Sequence, residues 1–190
     1  MAKLESTFLN MFLTLLISTA VSSLAASYVY NLTKDPIAEV DRQKQQKAIE
    51  MVMPGFTELN RFAILPHSGS DSLIFYEGIK DGEVIGVAIN TYTHLGYNGL
   101  IRIMVGFTPD GTIVSYQVLE HKETPGLGSK IADNFKEQFD GKNPAAFSLK
   151  VRKDGGDVDA ITAATISSRA VCDALSRAFQ AYEEVKQKQN

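Results

Sequence analysis

No charged residue interrupts the chain from Phe8 to Tyr30, FLNMFLTLLISTAVSSLAASYVY, and this run constrains the fold more than any other feature. Wound as a helix at ~1.5 Å per residue, it is long enough to cross a bilayer core of roughly 30 Å. It reads as one transmembrane helix. A cleaved signal peptide is the alternative, because Ser23-Leu-Ala-Ala26 supplies small residues after a short apolar core. Against that alternative, Glu5 offsets Lys3 in the n-region, and the run continues through Tyr28, Val29 and Tyr30, whose aromatic rings suit a membrane interface. Lys34 and Arg42 follow the run and blur the positive-inside count, so an inside N-terminus with an exported domain is an expectation only.

The rest of the chain has the composition of a globular protein. Its 190 residues leave room for about one domain plus the appendage, and 44% hydrophobic with 22% charged residues is ordinary for such a domain. A net charge of -3, with Lys and Arg scattered instead of striped, excludes a nucleic-acid partner. Cys172 is the single cysteine, which rules out an internal disulfide. His67, His94 and His121 are too separated to suggest a zinc or iron–sulfur site, so no metal is expected and redox chemistry would require a bound cofactor.

The expected organisation is an anchor over 1–33, a stalk helix and linker over 34–55, and a domain over 56–190. Asp35-Pro36 predicts a break, after which Ile37–Val52 has helix-forming composition until Pro54-Gly55 stops it. Strand-like runs cover Leu73–Tyr76, Val84–Ile89, Leu100–Phe107 and Thr112–Leu119, with turn signals at Lys80-Asp-Gly82 and Pro109-Asp-Gly111. Their spacing predicts an antiparallel meander. Ile131, Phe135 and Phe139 recur at helical spacing ahead of Gly141, and Val171, Leu175, Ala178, Phe179, Tyr182 and Val185 form the apolar face of a last helix beginning near Ser167. The fold class is α+β, an antiparallel sheet with packed helices, and there is no internal repeat.

The stretch Asp159-Ala-Ile-Thr-Ala-Ala-Thr-Ile-Ser-Ser168 enters that last helix, with Thr165, Ser167 or Ser168 available as its cap. Free amides and a partial positive charge make a helix N-terminus a site for phosphate. Ala163 and Ala164 are small enough for a bulky group to approach, and Thr162, Thr165, Ser167 and Ser168 add hydroxyls. Taken alone, the stretch also reads as a plain Ser/Thr-rich cap.

Asp159-Ala-Ile-Thr-Ala-Ala-Thr165 resembles the Asp-x-x-(Ser/Thr)-Gly-Ala-Thr signature of the covalent FMN-binding domain family, with Ala163 where glycine is usual. Gly96-Tyr-Asn-Gly99 and Glu123-Thr-Pro-Gly-Leu-Gly128 resemble two further elements of that domain. With the anchor and the chain length, the likeness extends over nearly the whole chain to the family of G subunits of Rnf (Rsx) ion-translocating electron-transport complexes. C subunits of sodium-pumping NADH:quinone oxidoreductases are the nearest alternative, and a membrane-anchored anion-binding module without a redox role is a third.

The resemblance implies FMN attached as a phosphoester to Thr165, with Asp159, Thr162, Ala164 and Thr165 read by a metal-dependent flavin transferase during maturation. It implies further flavin contacts from Glu123, Thr124, Pro125, Gly126, Leu127 and Gly128, and from Thr162, Ala163, Ala164, Ile166, Ser167 and Ser168. No catalytic residue is expected, since an unactivated threonine serves as a tether, and no complete active site is expected on this chain. The implied setting is a bacterial inner membrane, single-pass, with the flavin domain on the periplasmic side. Partner subunits of a ferredoxin:NAD+ oxidoreductase would hold the substrate sites. Cys172 reads as a small buried core residue, His121 as either a neighbour of the flavin loop or a surface residue, and His67 and His94 as loop residues.

Overall fold

The computed structural model describes residues 7–65 and 71–189; Lys3, Glu5 and His67 lie outside them. The chain divides between Gln43 and Lys44 into two compact units. The first holds helix α1 (Phe8–Val52) as far as Gln43; the helix begins with the uncharged run, whose apolar side chains are exposed, Leu24 at 71% and Tyr28 at 67%. The helix is long and apolar enough to cross a membrane. Several hydroxyls along it bond back to carbonyls of the same helix. Those of Thr14, Thr19 and Thr33 donate to the carbonyls of Asn10, Leu15 and Val29 at 2.7, 2.8 and 3.0 Å.

The break predicted at Asp35-Pro36 does not occur, since α1 continues through Pro36. Proline removes one backbone donor and tends to kink a helix, but the intact bonds on either side carry the helix past it.

The second unit is built on a five-stranded antiparallel meander in chain order: β1 (Glu58–Ile64), β2 (Leu73–Lys80), β3 (Glu83–Gly96), β4 (Gly99–Phe107) and β5 (Ile113–Glu120). Side chains alternate between the faces of a strand, which divides β4 between two cores. Ile103 and Val105 join Phe75, Ile89 and Phe107 on the face covered by helix α2 (Thr165–Gln189), where Val171, Leu175 and Ala178 are buried. Met104 joins Tyr76 and Ala88 on the other face, covered by Ala48, Ile49 and Val52 at the end of α1 and by Met53 just after it.

Three further sequence expectations need correction. Strand β1 adds to the four strands that the apolar runs predict. The Ile131–Phe139 segment is no α-helix but two 3-10 turns, Gly128–Ala132 and Asn134–Gln138, interrupted at Asp133, although Ile131, Phe135 and Phe139 are buried as their spacing implies. Helix α2 starts at Thr165, before Ser167, so Thr165 already lies inside it.

Candidate functional site

The entry to α2 is a knot of short-range bonds. The Ala164 amide donates to the Ile161 carbonyl and the Ser168 amide to the Ala164 carbonyl, both at 3.0 Å. The buried Ser168 hydroxyl accepts from the Ile161 amide at 2.9 Å and donates to the Ala164 carbonyl at 3.0 Å. Ser168 therefore fastens the turn. With the Ala164 and Ser168 amides engaged, those of Thr165, Ile166 and Ser167 are the first-turn donors left over by helix geometry. Ala163 has φ 63°, in the left-handed region that an alanine enters only at a cost of about 1–2 kcal/mol. This is the position where the resembling motif carries glycine, and the conformation explains that preference.

The Glu123–Gly128 loop makes a tight turn, with the Leu127 amide donating to the Thr124 carbonyl at 3.2 Å and Gly126 at φ 76°. Proline followed by a glycine of positive φ is the signature of a type II turn. Ser129 ties the tip, its hydroxyl accepting from the Gly126 amide at 2.9 Å. Leu127 is left 43% exposed.

The hairpin turn Gly96-Tyr97-Asn98-Gly99 joins β3 to β4, with Gly96 paired to Gly99. The Asn98 side chain donates to the Lys122 carbonyl at 2.8 Å and its amide to the Glu123 carboxyl at 3.0 Å. Glu123 also accepts a hydrogen bond from the Ser167 hydroxyl.

These three segments enclose a cavity of ≈ 560 Å³, lined by Tyr97, by Glu123, Thr124, Leu127 and Gly128, and by Ala163 through Ser167. Tyr97, Leu127 and Ile166 give it exposed apolar walls, and half-buried Thr165 is part of its lining. Its size falls within the range of small-molecule sites, roughly 300–1,000 Å³. Of the residues expected around a flavin, Pro125, Gly126, Thr162 and Ser168 stand outside the lining. Tyr97 is a wall residue from the Gly96–Gly99 motif, whose sequence reads equally as a plain turn and as a flavin contact.

Asp159 lies apart from this cavity. Its carboxylate pairs with Arg152 at 3.0 Å, both side chains being largely exposed, and Gln138 holds its backbone amide at 2.8 Å. Its chemistry is accessible from outside the cavity.

Cys172 is buried in the core and its thiol is pushed up to about 12 by that burial, which makes it inert as a nucleophile. His121 accepts from the Glu123 amide at 3.2 Å through Nδ1, so it abuts the loop. His94 is exposed at the end of β3, its ring 5.5 Å from that of Tyr92. Among the described residues, no three His, Cys, Asp or Glu side chains come together to hold a metal ion.

The FMN-binding domain family matches residues 96–180. The chain is 34% identical over 181 residues to the G subunit of the ion-translocating oxidoreductase complex of Vibrio atlanticus, covering 88% of this chain and 87% of that one. Against the corresponding G subunit from Shewanella amazonensis the identity is 35% over 171 residues, covering 83% and 80%. The one from Methanosarcina acetivorans is 32% identical over 170 residues, covering 87% and 89%. The chain belongs to this family of G subunits. The matched domain begins at Gly96 and takes in every segment that lines the cavity, from the Tyr97 turn to the first turns of α2.

Proposed function

We infer that this chain is the membrane-anchored electron-transfer subunit of an ion-translocating oxidoreductase complex, carrying FMN as a phosphoester on Thr165. The observation that carries the reading is the single cavity in which Thr165, at the start of α2, meets apolar walls from three distant segments, all within the stretch matching the FMN-binding domain family.

The residues present fit the group. Tyr97, Leu127 and Ile166 would hold the ring, and the amides of Thr165, Ile166 and Ser167 would serve the phosphate, whose charge the α2 dipole favours by about 0.3–1 kcal/mol. Bound there, FMN supplies one- and two-electron transfer. Thr165 has no base among the cavity-lining residues except Glu123, whose carboxyl is engaged by Ser167 and Asn98. Attachment is therefore assigned to a separate flavin transferase, which would read Asp159, Thr162, Ala164 and Thr165. Asp159 and Thr162, both exposed and outside the cavity lining, suit recognition from without.

In this reading residues 1–33 are the anchor, 34–55 the stalk and linker, and 56–190 the flavin domain, held on the extracytoplasmic side of the membrane. A covalent link suits that compartment, since a cofactor lost there is not replaced. Ferredoxin and NAD+ would react at other subunits. Mass spectrometry of the Thr165 peptide from native membranes tests the assignment: the expected product carries the FMN phosphoester on Thr165. An unmodified peptide, with flavin freed by denaturation, would replace it with dissociable binding.

A further inference from the structure

Glu123 is 4% exposed, unusually buried for a loop glutamate, and its two carboxyl oxygens serve different segments. Oε1 accepts the Asn98 amide of the β3–β4 turn at 3.0 Å, and Oε2 accepts the Ser167 hydroxyl of α2. The slot it occupies admits no further atom. A Cβ on Gly96 would lie 2.9 Å from Oε1, and one on Gly128 would lie 2.7 Å from both Oε2 and the Ser167 hydroxyl oxygen. One side chain thus joins the wall bearing Tyr97 to the wall bearing Thr165 and Ile166. A buried acceptor that loses its donors pays the full cost of desolvation, so the link resists opening.

Resting on the flavin-carrying role assigned to this cavity, we propose that Glu123 is a positioning residue: acting through Asn98 and Ser167, it sets the separation of the two cavity walls and hence the seat of the flavin ring. Its hydrogen-bond geometry, not its charge, is what the ring senses.

Two substitutions in the full membrane-bound chain separate geometry from charge. Glu123→Gln keeps the shape, with its amide oxygen accepting the Asn98 N–H and its amide nitrogen donating to a Ser167 hydroxyl that can turn to accept. Glu123→Ala removes both links. Two readouts are taken: the potential and absorption spectrum of the attached flavin, and hydrogen exchange at the Asn98 amide in a flavin-free Thr165→Ala background. Glu123→Gln is expected to keep Asn98 exchange at the parental rate and to move spectrum and potential far less than Glu123→Ala does. Glu123→Ala is expected to shift spectrum and potential and to speed Asn98 exchange by roughly five- to tenfold, as loss of one hydrogen bond implies.

The proposal is overturned if Gln shifts the potential as far as Ala does, which would mean that the charge acts directly, or if Ala leaves both readouts unchanged. Should Glu123→Ala fail to fold, Ser167→Ala removes the α2 link alone, and an unchanged flavin spectrum in that folded variant overturns the proposal equally. A parent without flavin on Thr165 overturns the assignment of the cavity instead, and Asn98 exchange then still decides whether Glu123 holds the walls.

Discussion

A Cβ placed on Gly106 would lie 2.0 Å from the carbonyl oxygen of Val52. Strand β4 and the last turn of α1 are therefore in backbone contact, with no room for a side chain between them. The C-terminal end of the same helix that carries the uncharged run is thus a packing layer of the folded unit. Ile49 and Val52 are 2% and 0% exposed, and removing either from its place against Tyr76, Ala88 and Met104 would cost about 1.5–3 kcal/mol.

Truncations should respect that contact. A chain starting at Lys34 keeps the residues from Ala48 to Met53 and is expected to be a soluble, cooperatively folding protein. One starting at Pro54 loses burial worth several kcal/mol out of a typical total of about 5–15 kcal/mol, and leaves an apolar sheet face bare. Size-exclusion chromatography and thermal melts of the two compare them directly; equal solubility and equal melting temperatures would show that the helix end is dispensable.

Ala163→Gly should stabilise the protein. Relief of the left-handed strain is worth about 1–2 kcal/mol, and the extra freedom of glycine in the unfolded chain takes back about 0.5–1 kcal/mol. The expected net gain is on the order of 0.5–1 kcal/mol, visible as a higher urea midpoint at unchanged slope. A lower midpoint would mean that the methyl group contributes packing that outweighs the strain.

What is legible in the sequence follows from the range of the interactions involved. The meander is readable because β2 to β5 alternate or run apolar between turn signals. The motifs Gly96–Gly99, Glu123–Gly128 and Thr162–Ser168 do converge on one cavity. Strand β1, Glu-Leu-Asn-Arg-Phe-Ala-Ile, is hidden because it is an edge strand with mixed exposure, whose pairing to β2 supplies what its own pattern lacks. The Ile131–Phe139 spacing fits a helix and also fits two 3-10 turns, and only the non-helical Asp133 between them, at φ -93° and ψ -138°, separates the cases. Nothing local announces that Glu123 is committed to Ser167, 44 residues away. Proline at 36 weakens a helix locally, and the continuity of the flanking turns prevails over it.

Thr165→Ala should abolish covalent flavin while leaving the fold. Thr165 is half-buried, and its hydroxyl is no part of the knot made by Ile161, Ala164 and Ser168, so the loss is expected to stay below the ~0.5–2 kcal/mol typical of a cap residue. In-gel flavin fluorescence after denaturation reads the outcome. Fluorescence that survives the substitution would move the tether to another hydroxyl, with exposed Thr162 the first to examine.

Leu127→Ala bears on the ring and not on the tether. Attachment is assigned to Thr165, so the variant should carry flavin in parental amount, but a ring that has lost an apolar wall is more exposed to water. Its absorption spectrum and potential should then shift, and electron transfer through the assembled complex should slow. A spectrum and potential matching the parent would mean that Thr124–Leu127 is only a turn and that Tyr97 and Ile166 hold the ring between them.

The pH dependence of the segment leading to the tether follows from one ion pair. Arg169, in the first turns of α2, donates Nε and Nη2 to the two carboxylate oxygens of Asp154, each at 2.7 Å, pinning the turn at 152–154 to the helix. Those bonds hold the Asp154 carboxyl below its ordinary value of 3.8. A carboxyl with a depressed folded-state pKa binds fewer protons folded than unfolded, so its contribution to stability is present above the unfolded value and disappears as pH falls through the folded one. The pair is solvent-exposed and screened, so the effect is small in absolute terms. Asp154→Asn should therefore lower the denaturation midpoint at neutral pH and by the same amount down to about pH 5, after which the two curves should converge in acid. Urea melts of parent and variant from about pH 7 to about pH 2.5 measure that convergence. A gap that persists unchanged at the acid end would show that Asp154 acts through the shape of its turn and not through its charge on Arg169.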